Sequence, residues 1–108
     1  MKVIIKNNWE EWEAIRNVLA DNIPLQINQA KANRSYDQLL IYSLLKQSLQ
    51  RIDVRIASGA SRFSIGFTYA EALAFRLAML KGMIIFNEAT YEGYITQLML
   101  NQIHQKTA

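Results

Sequence analysis

Residues 68–82, TYAEALAFRLAMLKG, read as a helix without a polar side. Thr68, with Glu71 three positions on, makes a capping box, in which each residue's side chain satisfies a free N–H of the other. Gly82 supplies the left-handed residue that commonly ends a helix. Between them only Glu71, Arg76 and Lys81 are charged, and at about 100° per residue these three point in different directions. A helix that is apolar all round must be covered all round, and a chain of 108 residues has few elements with which to do that. Either the other helices and a small sheet enclose it, or a second subunit covers part of it.

The length fits one domain, residues 1–108, able to bury about two thirds of its unfolded surface. At 51% hydrophobic and 19% charged the chain is globular rather than disordered. It has no cysteine, which excludes a disulfide framework, a thiolate nucleophile and a cysteine metal site, and a cytoplasmic location is expected. The apolar run Val3–Ile5 is too short for a secretory signal. Residues 63–86 are long enough to span a bilayer but carry Glu71, Arg76 and Lys81. Each such charge at the centre of a span costs about 2.5–3.5 kcal/mol, so burial in protein is expected and a membrane span is not.

KVIIK, residues 2–6, reads as a strand because Val3, Ile4 and Ile5 are β-branched. Asn8 and Glu11 form a second capping box, with Glu10, Glu11 and Glu13 at the positive end of the helix dipole. Trp9, Trp12, Ile15 and Leu19 recur at helical spacing, which places both tryptophans in the core. Pro24 disfavours a helical Ile23 and is expected to end this helix. In residues 24–57 the stripe Leu39, Tyr42, Leu45, Leu49, Ile52 and Ile56 is amphipathic. Both one long helix and a short one followed by a long one from a capping box at Ser35 and Gln38 fit this stretch.

After Gly59, residues 62–67 alternate, with Phe63, Ile65 and Phe67 on one side, and pair naturally with KVIIK. Asn87 is expected to cap a last helix over Glu88–Gln105. The sequence shows no internal repeat. The expected fold is mainly α, a bundle of three to five helices with a short two-stranded β-ribbon pairing residues 2–6 with 62–67.

No enzyme signature is present. His104, the single histidine, has no acid within one helical turn and lies near a terminus prone to fray. Gly59, Gly66, Gly82 and Gly93 match neither a phosphate loop nor a dinucleotide fingerprint, and no metal or cofactor is expected. The net charge of +3 arises in the middle of the chain, where Lys46, Arg51, Arg55 and Arg62 form a basic edge suited to phosphate. Glu10, Glu11, Glu88 and Glu92 at helix starts argue against helices that read base sequence.

On the apolar helix, Ala70, Ala74 and Ala78 form a smooth row beside Leu73 and Leu77, and Tyr91, Gly93 and Tyr94 suggest close packing on the last helix. The candidate oligomer interface is therefore Ala70, Leu73, Ala74, Leu77, Ala78, Tyr91 and Tyr94. The expected function is a non-enzymatic assembly or protein-interaction module that self-associates through apolar helix faces. The alternative is a non-specific nucleic-acid-associated module using Lys46, Arg51, Arg55 and Arg62.

Overall fold

The computed structural model describes residues 2–107. Among them it places β1 (Lys2–Asn8), α1 (Trp9–Ala32), α2 (Tyr36–Ala57), β2 (Arg62–Thr68), α3 (Tyr69–Leu80) and α4 (Tyr91–Thr107). The fold is mainly helical with a two-stranded antiparallel ribbon. Val3 lies opposite Phe67, Ile5 opposite Ile65 and Asn7 opposite Phe63. Side chains alternate across a strand. Val3, Ile5, Phe63, Ile65 and Phe67 therefore turn into the core, while Lys2, Ile4, Lys6 and Arg62 turn out.

Both helices that leave the ribbon begin on capping boxes. Asn8 Oδ1 accepts from the Glu11 N–H at 2.8 Å, and the Glu11 carboxylate accepts from the Asn8 N–H at 3.0 Å. The Thr68 hydroxyl accepts from the Glu71 N–H at 3.1 Å, and Glu71 Oε1 accepts from the Thr68 N–H at 2.9 Å.

Pro24 does not end α1, which runs on to Ala32. An interior proline costs a helix about 3 kcal/mol. Pro24 itself faces solvent, while Ile23 and Ala30 are buried and Ile27 is half-buried beside Leu49 of α2. Burying an aliphatic side chain contributes about 1.5–3 kcal/mol, so continuing the stripe along α2 offsets the lost hydrogen bond.

The break falls instead at residues 33–35. The Ser35 N–H reaches back to the Ala30 carbonyl at 2.9 Å and the Arg34 N–H to Lys31 at 3.2 Å, with Arg34 at φ 53°. This is a Schellman ending with arginine where glycine is usual. Ser35 precedes α2, but its side chain makes no capping bond. Its ψ of 89° differs from the extended 169° and 159° of Asn8 and Thr68, so the hydroxyl is not turned onto the helix end.

α4 also starts later than Asn87 suggests. Asn87 holds a turn, accepting from the Ala89 N–H at 2.9 Å and the Thr90 N–H at 3.0 Å, and the Thr90 hydroxyl caps the Gly93 N–H at 3.0 Å. The Asn87 carbonyl rests directly on Gly93, where a Cβ would overlap backbone atoms. Gly93→Ala therefore overpacks against a rigid group. A loss of about 1–3 kcal/mol is expected in chemical denaturation, and an unchanged midpoint would show that the turn can move aside. The connector before it is pinned twice. Asn22 accepts from the Ile85 N–H at 2.8 Å and donates to its carbonyl at 2.7 Å, and the Tyr42 hydroxyl donates to the Met83 carbonyl at 2.9 Å.

α1 lies between α2 and α4, and so does α3. The chain thus runs twice through strand, helix, helix, a repeat of topology that the sequence does not announce. At a spacing of 60 residues, Ile5 matches Ile65, Glu11 matches Glu71, Ala14 matches Ala74 and Arg16 matches Arg76. Each arginine ties its helix to the end of the next. Arg16 Nε is 2.9 Å from Asp53 Oδ1, and Arg76 donates to the Thr107 carbonyl at 2.7 Å. The repeat is faint in sequence because a buried position demands apolar bulk rather than one residue, and Ile15 in the place of Phe75 satisfies it as well as identity would.

Candidate functional site

The chain covers only part of α3. Glu71, Ala72, Ala74, Phe75 and Ala78 are buried, whereas Tyr69, Ala70, Leu77 and Leu80 are exposed and Leu73 is half-buried. Tyr69, Leu73, Leu77 and Leu80 recur at three- and four-residue steps and so form one face. Arg76, three positions after Leu73 and four before Leu80, falls on the same face, and its guanidinium donates to the Thr107 carbonyl at the end of α4. The neighbouring α4 touches α3 where Gln97 Nε2 stands 3.9 Å from Met79 Sδ. One turn before Gln97, Tyr94 is exposed, and so is Leu98.

This arrangement corrects part of the expected interface. Ala74 is 2% exposed and Ala78 is fully buried within the single chain, so neither is available to a partner. Their small side chains let the chain's own elements approach α3. Ala70, Leu73, Leu77, Tyr91 and Tyr94 do reach the surface. Tyr91 sits apart from the others, around a cleft between α1 and α4 with Trp9, Glu10, Glu13 and Glu92. Tyr69 and Leu80 complete the exposed surface on α3, while Leu98, seven positions after Tyr91, lies on the Tyr91 side of α4. Helical spacing from Leu73, Leu77 and Tyr94 pointed to each of them. The tryptophans also separate, Trp12 lying fully in the core while Trp9 is 44% exposed.

The basic residues divide in the same way. Lys46 faces a groove between α1 and α2 with Ile23, Ile27 and Lys31. Arg51 and Arg55 flank β2, where a cleft of about 350 Å³ is lined by Lys2, Arg51, Arg55, Ile65, Gly66 and Thr68. Arg51 donates to Glu71 Oε1 at 2.7 Å and to the Gly66 carbonyl at 3.0 Å. Ser48 Oγ donates to the other Glu71 oxygen at 3.1 Å.

Burial by itself would raise the Glu71 carboxyl. The Thr68 N–H, the Arg51 guanidinium and the Thr68 and Ser48 hydroxyls outweigh it and hold the group below the usual carboxylate range. The Arg55 guanidinium lies 5.1 Å from the centre of the Phe63 ring, within cation–π range. Arg62 is exposed at the start of β2, opposite Asn8.

Three cations that no local pattern singled out join this region. Lys2 lays its stem against Gly66, where a Cβ would stand 3.3 Å from Lys2 Cδ. Lys6 is exposed on the same outward face. Lys106 Nζ donates to the Ile4 carbonyl at 2.8 Å. Strand pairing and the return of α4 bring them there, which composition and spacing do not reveal.

His104 is half-buried rather than free at a frayed end, and its enclosed Nδ1 makes no hydrogen bond among the described residues. Among those residues no group of three or more His, Asp or Glu side chains is placed to hold a metal ion, and no helix is long and apolar enough to cross a membrane. The chain matches no family model, no curated protein and no solved structure.

Proposed function

We propose that the protein is a non-enzymatic assembly module that pairs with a second copy of itself through the outer face of α3 and the adjoining surface of α4. The supporting observation is the apolar series Tyr69, Leu73, Leu77 and Leu80, in which Leu73 is half-buried and the other three are exposed. In a two-fold contact the same patch meets itself, so charge on that patch would set like against like. The Arg76 charge on this side is drawn to the Thr107 carbonyl of the same chain. A 12-residue helix is about 18 Å long, and its face alone falls short of the roughly 800 Å² per partner that stable interfaces bury. Tyr94 on α4 extends it.

The mass in solution at micromolar concentration, measured at low and high salt, tests this reading. A dimer that salt does not dissociate is expected, because the contact is apolar. Leu77→Glu combined with Leu80→Glu should give a monomer with unchanged helical circular dichroism. Ala74→Leu is the internal control. It overpacks the chain's own core by about 1–3 kcal/mol and should lower the melting temperature without changing the mass. A wild-type protein that stays monomeric at millimolar concentration, or a double variant that remains dimeric, sinks the proposal.

A further inference from the structure

The outward face of the ribbon has a chemistry of its own. Lys2, Ile4 and Lys6 on β1 and Arg62 on β2 are exposed there, and Ser64 and Gly66 share the face. Both outer edges of the ribbon carry a cation delivered by a helix, Arg51 on the Gly66 carbonyl and Lys106 on the Ile4 carbonyl. Arg55 stands over Phe63 beside them. These are half of the chain's 12 lysines and arginines. Neither strand contains an acid. Of the carboxylates at the ends of the ribbon, Glu71 is 1% exposed and already bound to Arg51 and Ser48, and Glu11 is held on the Asn8 N–H. The rest of the chain carries more acids than bases, and Glu10 and Glu13 line the separate cleft between α1 and α4.

We propose that this face binds duplex DNA, the ribbon lying in the major groove with its flanking cations on the phosphates. The cations are spread out rather than convergent. Lys2 and Lys6 are four extended residues apart, roughly 13 Å, which is too far for one small anion and suits a ligand with repeated charges. Duplex DNA presents one charge per roughly 1.7 Å of axis. Its major groove, about 12 Å wide, admits a two-stranded ribbon, and this ribbon leaves one face free because its core side chains all point the other way. Lys2, Lys6 and Arg62 enter the groove walls, Arg55 and Lys106 meet the backbone on either side, and Ile4 and Ser64 face base edges. Lys46, on another surface, takes no part.

Fluorescence anisotropy with a labelled DNA duplex of about two helical turns, followed from about 50 to 200 mM salt, decides the matter. The wild-type protein should bind, and its affinity should fall steeply as salt rises. The triple variant Lys2→Ala, Lys6→Ala, Arg62→Ala should bind about tenfold or more weakly, its salt slope reduced by roughly 0.9 for each phosphate no longer neutralised. Lys31→Ala with Lys46→Ala, which removes exposed charge elsewhere, should stay within about twofold of wild type.

Single Lys6→Ala and Arg62→Ala variants, each lowering the slope by about one unit, keep the test decisive if the triple variant folds poorly. No binding at the lowest salt overturns the proposal. So does an equal loss in the triple and the double variants, which would show attraction by net charge alone. Equal affinity for duplex RNA also overturns it, since a major groove that deep and narrow cannot admit the ribbon.

Discussion

Glu71→Ala is expected to destabilise the protein by about 3–5 kcal/mol, the usual consequence of removing one partner from a buried ion pair. The carboxylate is 1% exposed and is held by the Thr68 N–H, the Ser48 hydroxyl and Arg51. Its removal strips α3 of half its capping box and takes the acceptor from the Thr68 N–H and the Arg51 guanidinium, while the Ser48 hydroxyl keeps the Leu44 carbonyl. Arg51 keeps 41% of its side chain in water and can be solvated after the change, which places the loss toward the lower end of the range. Glu71→Gln keeps the shape and one acceptor oxygen but not the charge, so it should fall between alanine and wild type. Urea denaturation monitored by circular dichroism measures both.

The same group predicts a dependence on acid. Its carboxyl lies below the ordinary value of 4.5 in the folded protein, so the folded state holds the ionised form more strongly than the unfolded chain does. The resulting stability is fully present above the unfolded value and is lost as pH falls through the folded value. Wild-type stability should therefore drop below about pH 4.5 more steeply than that of Glu71→Gln. Parallel curves for the two proteins would remove Glu71 as the cause.

Trp12→Ala should cost about 3–5 kcal/mol, the range for truncating a large buried aromatic. Trp12 is fully buried, its ring stacked on Phe63 at 5.8 Å and 8° and tilted against Phe67 at 6.2 Å. Its Nε1 donates to the Phe63 carbonyl at 3.1 Å, so one side chain joins α1 to β2 by packing and by hydrogen bond. Trp12→Phe separates the two contributions. It retains most of the apolar packing and removes the donor, and about 0.5–1.5 kcal/mol should be lost with that hydrogen bond. Thermal unfolding of both variants checks this, since 1 kcal/mol corresponds to roughly 4–8 °C in a domain near this size. A Trp12→Ala variant that melts within a degree or two of wild type would mean that the Trp12–Phe63 contact does not hold α1 to the ribbon.

Much of the fold was legible because its signals are local. The capping boxes at Asn8 and Thr68 need only a side chain and a backbone three residues apart, and both form. Period-two alternation in residues 2–6 and 62–67 needs only the pleat, and the ribbon pairs as that pattern implies. Gly59 and Gly82 adopt the positive φ expected at helix ends. The candidate sites were legible in part. Leu73, Leu77 and Tyr94 were identifiable as surface apolar groups by helical spacing, and Arg51, Arg55 and Arg62 as a basic cluster.

Local chemistry alone thus determined where most elements begin, which strands alternate and which helix lacks a polar side. The tertiary structure decided which apolar and charged groups meet. Pro24 stays inside α1 because Ile23 and Ala30, on either side of it, are buried. Trp12 is buried and Trp9 is not, although both lie in the first turn of one helix. Ala74 and Ala78 turn inward while Leu77 and Leu80 turn out. Lys2 and Lys106, near opposite ends of the chain, join Arg51 and Arg62 around one ribbon. Helical and strand periodicity state that a face is apolar or basic, but burial and charge proximity are pairwise properties. They arise only when elements some 60 residues apart are brought into contact, and that geometry belongs to the folded chain as a whole.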